Sequence, residues 1–152
     1  MILLAIDAGS TESAYVLCND KYEILDKGKV NNDEMLTIVQ SGGYDVLVLE
    51  MVACYGMAVG KEVFDTCVWI GRFWQASTTE ERAYIYRKDE KMNLCNSMRA
   101  KDSNIRQALI DRFAKFDFKN GKGTKKKQDT FYGFKADMWA AYAVAVTYLD
   151  MP

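Results

Sequence analysis

Three acids in the 152-residue chain have surroundings that point to chemistry: Asp7, Glu50 and Asp137. Asp7 ends the apolar run ILLAID, and Glu50 ends YDVLVLE. Each therefore closes a segment that reads as a buried strand. Asp137 lies in KADMWAAYAV, near the start of a helical stretch, with apolar Met138, Trp139, Ala140, Ala141, Ala143 and Val144 after it. A carboxylate in such a setting is costly unless paired or metal-bound. If the strands of Asp7 and Glu50 are neighbours, their carboxylates converge at one end of a sheet. An all-oxygen donor set favours Mg²⁺ or Mn²⁺ over zinc, and clustered like charges call for a cation. Two such ions, about 3.5–4 Å apart, suit phosphodiester hydrolysis. Each acid also has a plainer reading: a turn former at Asp7, a solvent-facing strand end at Glu50, a helix N-terminal acid at Asp137.

The chain contains no histidine, which excludes Ser-His-Asp and Cys-His catalysis and every His-ligated metal site. Cys18, Cys54, Cys67 and Cys95 form no CxxC pair, so a zinc site is not expected. They read as reduced, mostly buried thiols of a cytoplasmic protein. The stretch MILLAI meets an acid after six residues and has no basic flank, unlike a signal peptide. No apolar run approaches the roughly 20 residues that span a bilayer, so no membrane partner is expected.

The elements that must position the acids follow from periodicity and turn residues. Ile2–Asp7, Ser13–Cys18 and Tyr22–Val30 read as a three-stranded meander. Asn32 or Asp33 is placed to cap a helix over Glu34–Gln40, which Ser41-Gly42-Gly43 ends. Tyr44–Glu50 is the strongest strand, and strand-helix-strand order implies a parallel crossover. After a Gly56–Gly60 loop, Lys61–Gln75 reads as an amphipathic helix and Ala83–Tyr86 as a fifth strand. Helices are expected over Lys88–Ser97, Asp102–Phe116 and Phe134–Leu149, with a flexible basic loop at Asn120–Gln128. No repeat or long linker divides the chain, which is the size of one domain.

Charge is unevenly distributed. Residues 1–81 carry five Lys/Arg against thirteen Asp/Glu, a balance of −8; residues 82–127 carry fourteen against five, a balance of +9. A basic block in an otherwise acidic chain fits a polyanion-facing surface, or a solvated helical face.

The order strand-Asp, fourth-strand Glu, last-helix Asp resembles the RNase H-like nuclease fold. Within it the chain is most similar to RuvC-type Holliday junction resolvases, especially divergent phage-type relatives. The carrying segments are ILLAIDAGSTESAYVL, DVLVLEMV, MRAKDSNIRQALIDRF and KADMWAAYAVAVTYLD. The resemblance implies an α/β fold: a five-stranded mixed sheet, three strands antiparallel and two parallel, flanked by helices. It implies metal-dependent, structure-selective cleavage of Holliday junctions or other branched DNA in the bacterial cytoplasm, by a host or phage protein. Asp7, Glu50 and Asp137 would be ligands to two Mg²⁺ or Mn²⁺ ions, and Lys101 the basic residue that approaches the scissile phosphate. The family usually has a second acid one helical turn after the position of Asp137; here Ala140 stands there, leaving water, Lys135 or an acid such as Asp102 to fill the gap. Phosphate contacts would come from Arg82, Arg87, Lys88, Lys91, Arg99, Arg106, Lys122, Lys125, Lys126, Lys127 and Lys135. Tyr55, in the loop after Glu50, would wedge into a junction. The apolar residues of Lys61–Gln75 exceed what one sheet face needs, which fits either a homodimer or a fully buried helix in a monomer.

Two rival readings differ in class. One is a branched-DNA-binding protein of the same fold that does not cut, supported by the missing fourth acid. The other is an ATPase or sugar-kinase-like fragment, because Asp7-Ala8-Gly9-Ser10-Thr11 resembles the first phosphate loop of that superfamily. Those proteins need a second such loop and a second domain.

Overall fold

The run ILLAID forms β1 (Ile2–Asp7), the central strand of a five-stranded sheet in the computed structural model of residues 1–152. β2 (Glu12–Asn19) and β3 (Ile24–Asn31) follow antiparallel as the expected meander. Helix α1 (Asn32–Ser41) crosses to β4 (Val46–Met51), which pairs parallel with β1. Helix α2 (Lys61–Ala76) crosses to β5 (Arg82–Tyr86), parallel to β4. Helices α3 (Arg87–Cys95), α4 (Asp102–Phe113) and α5 (Met138–Asp150) complete the chain. Strand order is β3-β2-β1-β4-β5. The sheet is thus mixed: three strands antiparallel, two parallel, with helices on both faces.

Alternation of side chains explains the layers. On one face Leu3, Ala5, Val16, Val48 and Ile85 pack with Ile105, Leu109, Tyr142 and Val146 of α4 and α5. On the other, Leu4, Ile6, Leu47 and Leu49 meet Met35, Val39, Ile70 and Phe73 of α1 and α2. Burial of each large apolar side chain contributes roughly 1.5–3 kcal/mol. β1 and β4 are apolar on both faces because both faces are covered.

Several expected boundaries move, each for a local reason. The α1 cap is Asn31, whose side chain accepts from the Glu34 N–H at 2.9 Å; Asn32 is buried and donates to the Gly9 carbonyl instead. α4 stops at Phe113, not Phe116, because the amides of Lys115, Phe116 and Asp117 turn to the Asp129 carboxylate. α5 starts at Met138, not Phe134: Phe134 is packed against Phe131 and Trp139, and Ala136 takes a left-handed φ of 37°. The loop expected to be flexible is tied down. Asp129 accepts four backbone N–H groups, from Lys115, Phe116, Asp117 and Thr130, and Asp117 accepts three more, from Lys119, Asn120 and Gly123. Gly123 has φ 67°, and a Cβ there would lie 2.3 Å from the Lys127 carbonyl oxygen, so only glycine fits. The cysteines are all free, but only Cys18 is buried; Cys54 and Cys67 are exposed and Cys95 is partly covered. α2 is not fully buried either: Phe64 and Val68 are about 60% exposed. No helix is long and apolar enough to cross a membrane.

Candidate metal centre and DNA face

β1 and β4 are parallel neighbours, so Asp7 and Glu50 leave the sheet at the same end. Asp137 reaches that end from the turn before α5. Both other acids act on Asp7: burial first, then the charges of Glu50 and Asp137, push its carboxyl up to about 8. Glu50 is also raised, chiefly by burial, with Arg87 opposing. The three carboxylates are neighbours, yet they are not drawn together around one point: no three His, Cys, Asp or Glu side chains stand within range of one ion. Asp137 is half-exposed, and its Oδ2 is engaged by Lys29 Nζ at 2.9 Å.

Two further residues belong to this cluster. Glu90 of α3 has no exposed surface, and its Oε1 accepts from Arg87 Nη1 at 2.7 Å. Burial, then the charge of Glu50, raises its carboxyl to about 10, with Arg87 opposing. Glu90 lies close enough to Glu50 for each to affect the other's ionisation. Oε2 of Glu50 and Oε2 of Glu90 are buried with no hydrogen-bond partner. Burial works against charge on Arg87, but Glu90, Asp102 and Glu50 outweigh it and hold the guanidinium protonated. Its Nη2 pairs with Asp102 at the start of α4.

Nothing in the sequence marks Glu90, because RKDEKMNLC reads as a solvated helix. The Arg87–Glu90 spacing of three is its one local signal.

These residues fit a divalent cation in their chemistry. They are all oxygen donors, buried oxygens of Glu50 and Glu90 lack a partner, and Asp7 resists ionisation beside two other acids. Ala140 opens onto a cavity of about 160 Å³ lined also by Arg87, Asp102, Arg106 and Asp137. Asp102 lines the same space as the position that lacks an acid.

The basic residues divide into three groups. Arg106, stacked on Trp139 with its guanidinium 5.4 Å from the ring centroid, joins Lys119, Asn120 and Lys122 around a second cavity of about 330 Å³ beside the first. Lys88, Lys91 and Tyr55, with Arg87 and Met98, line a third of about 280 Å³. Lys101, Arg99, Lys125, Lys126, Lys127 and Lys135 are exposed. The structure gives the two remaining arginines other occupations. Arg82 lies at the far end of β5, donates to the Trp74 carbonyl at 2.7 Å and pairs with Glu80, so it is no free phosphate contact. Arg87 is committed to Glu90 and Asp102 within the acidic cluster. Lys101 begins α4, its backbone N–H donating to Asn104, next to the Asp102 that Arg87 holds. Tyr55 is 66% exposed, with a left-handed φ of 48°.

No family model and no curated protein matches the sequence. Among solved structures, that of Thermus thermophilus RuvC superposes with a TM-score of 0.66 over 97% of this chain and 92% of that one, at 11% identity. The fold is RuvC-like. A second structure, T. thermophilus RuvC in complex with Holliday junction substrate, matches with the same score and coverage at 10% identity. The RuvC likeness spans all five strands and the helices that carry the acidic cluster. It agrees with the five-stranded mixed sheet that the sequence resemblance implied.

Proposed function

We propose that this protein is a divalent-metal-dependent endonuclease that cuts branched DNA, with the Holliday junction as the leading substrate. The observation that carries the reading is a RuvC-like sheet in which Asp7 and Glu50 end neighbouring parallel strands at one end, with Asp137 nearby and a cationic surface beside them. Asp7 and Glu50, on rigid neighbouring strands, would hold Mg²⁺ or Mn²⁺, with Asp137 joining once it leaves Lys29. Two bound ions would supply an activated water and stabilise the leaving oxygen. The chain's own part is to fix that geometry and to hold the strand. Asp7 and Glu50 keep their positions through the β1–β4 ladder. Lys101 would approach the scissile phosphate. Arg106, Lys119 and Lys122 would grip the neighbouring backbone, and the exposed lysines 125–127 would extend the contact. Tyr55 would enter the branch point. The exposed Phe64 and Val68 of α2 suit a face covered by a second copy, and two copies would present two sites to a two-fold junction.

The test is incubation of labelled four-way, three-way, flap and linear duplex DNA with Mg²⁺ or Mn²⁺. The expected result is cutting of the four-way junction to 5′-phosphate and 3′-hydroxyl ends. Asp7→Asn should abolish it while retaining or tightening binding, since a ligand and a negative charge are both removed. Unchanged cutting in that variant refutes the role of Asp7. Ala140 and the open spacing of the acids favour a second reading, a junction-binding protein that does not cut. It requires binding without cleavage by the parent at every Mg²⁺ and Mn²⁺ concentration.

A further inference from the structure

We infer that the cavity between α4, α5 and the tied loop is a subsite for the phosphates of one DNA strand, and that it continues past Arg106 into the space left open at Ala140. The inference rests on the reading above that this face carries branched DNA, cut or not. Arg106 and Ile110 of α4, Lys119, Asn120 and Lys122 of the loop and Trp139 of α5 line about 330 Å³, and no acid shares the wall. None of the three cations has a carboxylate in ion-pair range, whereas Arg82, Arg87 and Arg112 are all engaged by acids. Three positive charges around an open space without a counter-charge favour a bound anion, and a diester backbone supplies one at every nucleotide. Their frame is fixed in advance. Arg106 lies over the Trp139 ring at 5.4 Å. The loop backbone is held by the Asn120 N–H on the Asp117 carboxylate at 3.1 Å and by the Asp129 N–H on the Lys122 carbonyl at 3.0 Å. Groups placed beforehand lose less freedom on binding. The two cavities form one track, because Arg106 and Trp139 line both. In the smaller, of about 160 Å³, Asp102 is paired with Arg87 and Asp137 with Lys29, which leaves Arg106 as the cation without an acid. Ala140 lines that same space. An acid at this position would pair with Arg106 and take up its charge. The small side chain instead leaves a way for a phosphate to approach the acids at the end of the sheet.

Binding of a labelled four-way junction, in EDTA and in Ca²⁺, tests this without relying on cleavage. Phosphates near the branch are replaced one at a time by uncharged methylphosphonates. Affinities are compared for the parent, Arg106→Met, Lys122→Met and Ala140→Asp, with folding checked by circular dichroism. Arg106→Met should bind about tenfold more weakly, the loss of one charge-assisted contact. One methylphosphonate that weakens binding by the parent should have no further effect in Arg106→Met, and a neighbouring one on the same strand none in Lys122→Met. Ala140→Asp should weaken binding and lose the same phosphate that Arg106→Met loses. No such coupled phosphate, coupled phosphates on different strands, or parent-like binding by Ala140→Asp overturns the inference and leaves the branched-DNA reading standing. No junction binding by the parent in either condition overturns both. Arg106 is exposed, so Arg106→Met keeps the test decisive if Ala140→Asp does not fold.

Discussion

Lys29 Nζ stands 2.9 Å from Asp137 Oδ2, joining the edge strand β3 to the turn before α5 across 108 positions of sequence. The ammonium occupies an oxygen that a metal ion would need. Lys29→Met should therefore raise Mn²⁺ affinity severalfold. Stability should change by less than about 1 kcal/mol, because the pair is well exposed to solvent. Calorimetric titration with Mn²⁺ and urea denaturation measure the two quantities. Weaker Mn²⁺ binding in Lys29→Met would mean that Lys29 positions Asp137 rather than occupying it.

The metal-free protein should be more stable at pH 5 than at pH 8.5. Asp7 and Glu90, held up to about 8 and about 10 chiefly by burial, keep their protons in the folded state through a range where the unfolded chain has lost them. The folded state binds more protons, so stability falls as pH rises from about 5 through 8. Asp150, lowered to about 2 chiefly by its bond from Arg112, loses its contribution only below pH 4 and does not enter this window. Thermal melts in EDTA should show a midpoint several degrees higher at pH 5, and Mg²⁺ should restore the difference at pH 8.5. A flat profile would show that the acids do not crowd one another.

Arg87→Met should cost about 1–3 kcal/mol, since it leaves the buried Glu90 Oε1 without its donor. Combining it with Glu90→Leu should recover most of that loss, because no buried acceptor then remains. The comparison is made by urea denaturation of both variants and the parent. If the double variant is no more stable than Arg87→Met, the guanidinium matters for packing rather than for its bond to Glu90.

Ala136 holds a left-handed φ of 37° immediately before Asp137. That conformation costs a residue with a Cβ about 1–2 kcal/mol. Ala136→Gly gives back part of this in unfolded-chain entropy, about 0.4–1 kcal/mol. A net gain near 0.5 kcal/mol is expected, with looser placement of Asp137 and weaker Mn²⁺ binding. Stability and affinity moving in the same direction would argue against strain at this turn.

Junction binding should weaken steeply with salt. Removing a cationic side chain that neutralises one phosphate should flatten the slope of log affinity against log salt by about 0.9. Lys122→Ala and Arg106→Ala should each do so, whereas Arg82→Ala, engaged with Glu80 and the Trp74 carbonyl, should not. Fluorescence anisotropy over a salt series reads all three.

The sheet was legible because its strands are simple statements of burial. ILLAID and VLVLE are apolar on both faces, and they could only lie under two helical layers. The neighbouring carboxylates follow from those same strand ends. Glu90 was not legible, since the first five residues of its helix are all charged and only tertiary packing hides this one. Lys29 was hidden for a related reason: nothing near it in sequence announces Asp137. The basic loop misled in the opposite sense. Its lysines and glycines look mobile, while the two acids that close it lie at its margins and act on backbone amides that no side-chain pattern displays.

That closure separates scaffold from rim. Seven amide donations to Asp117 and Asp129 shape the segment without enlisting a single lysine side chain. Side chains at 119, 122, 125 and 126 are consequently interchangeable parts, whereas Lys127 lies over the Phe116 ring. Charge at those places can change while the backbone frame beneath keeps its shape.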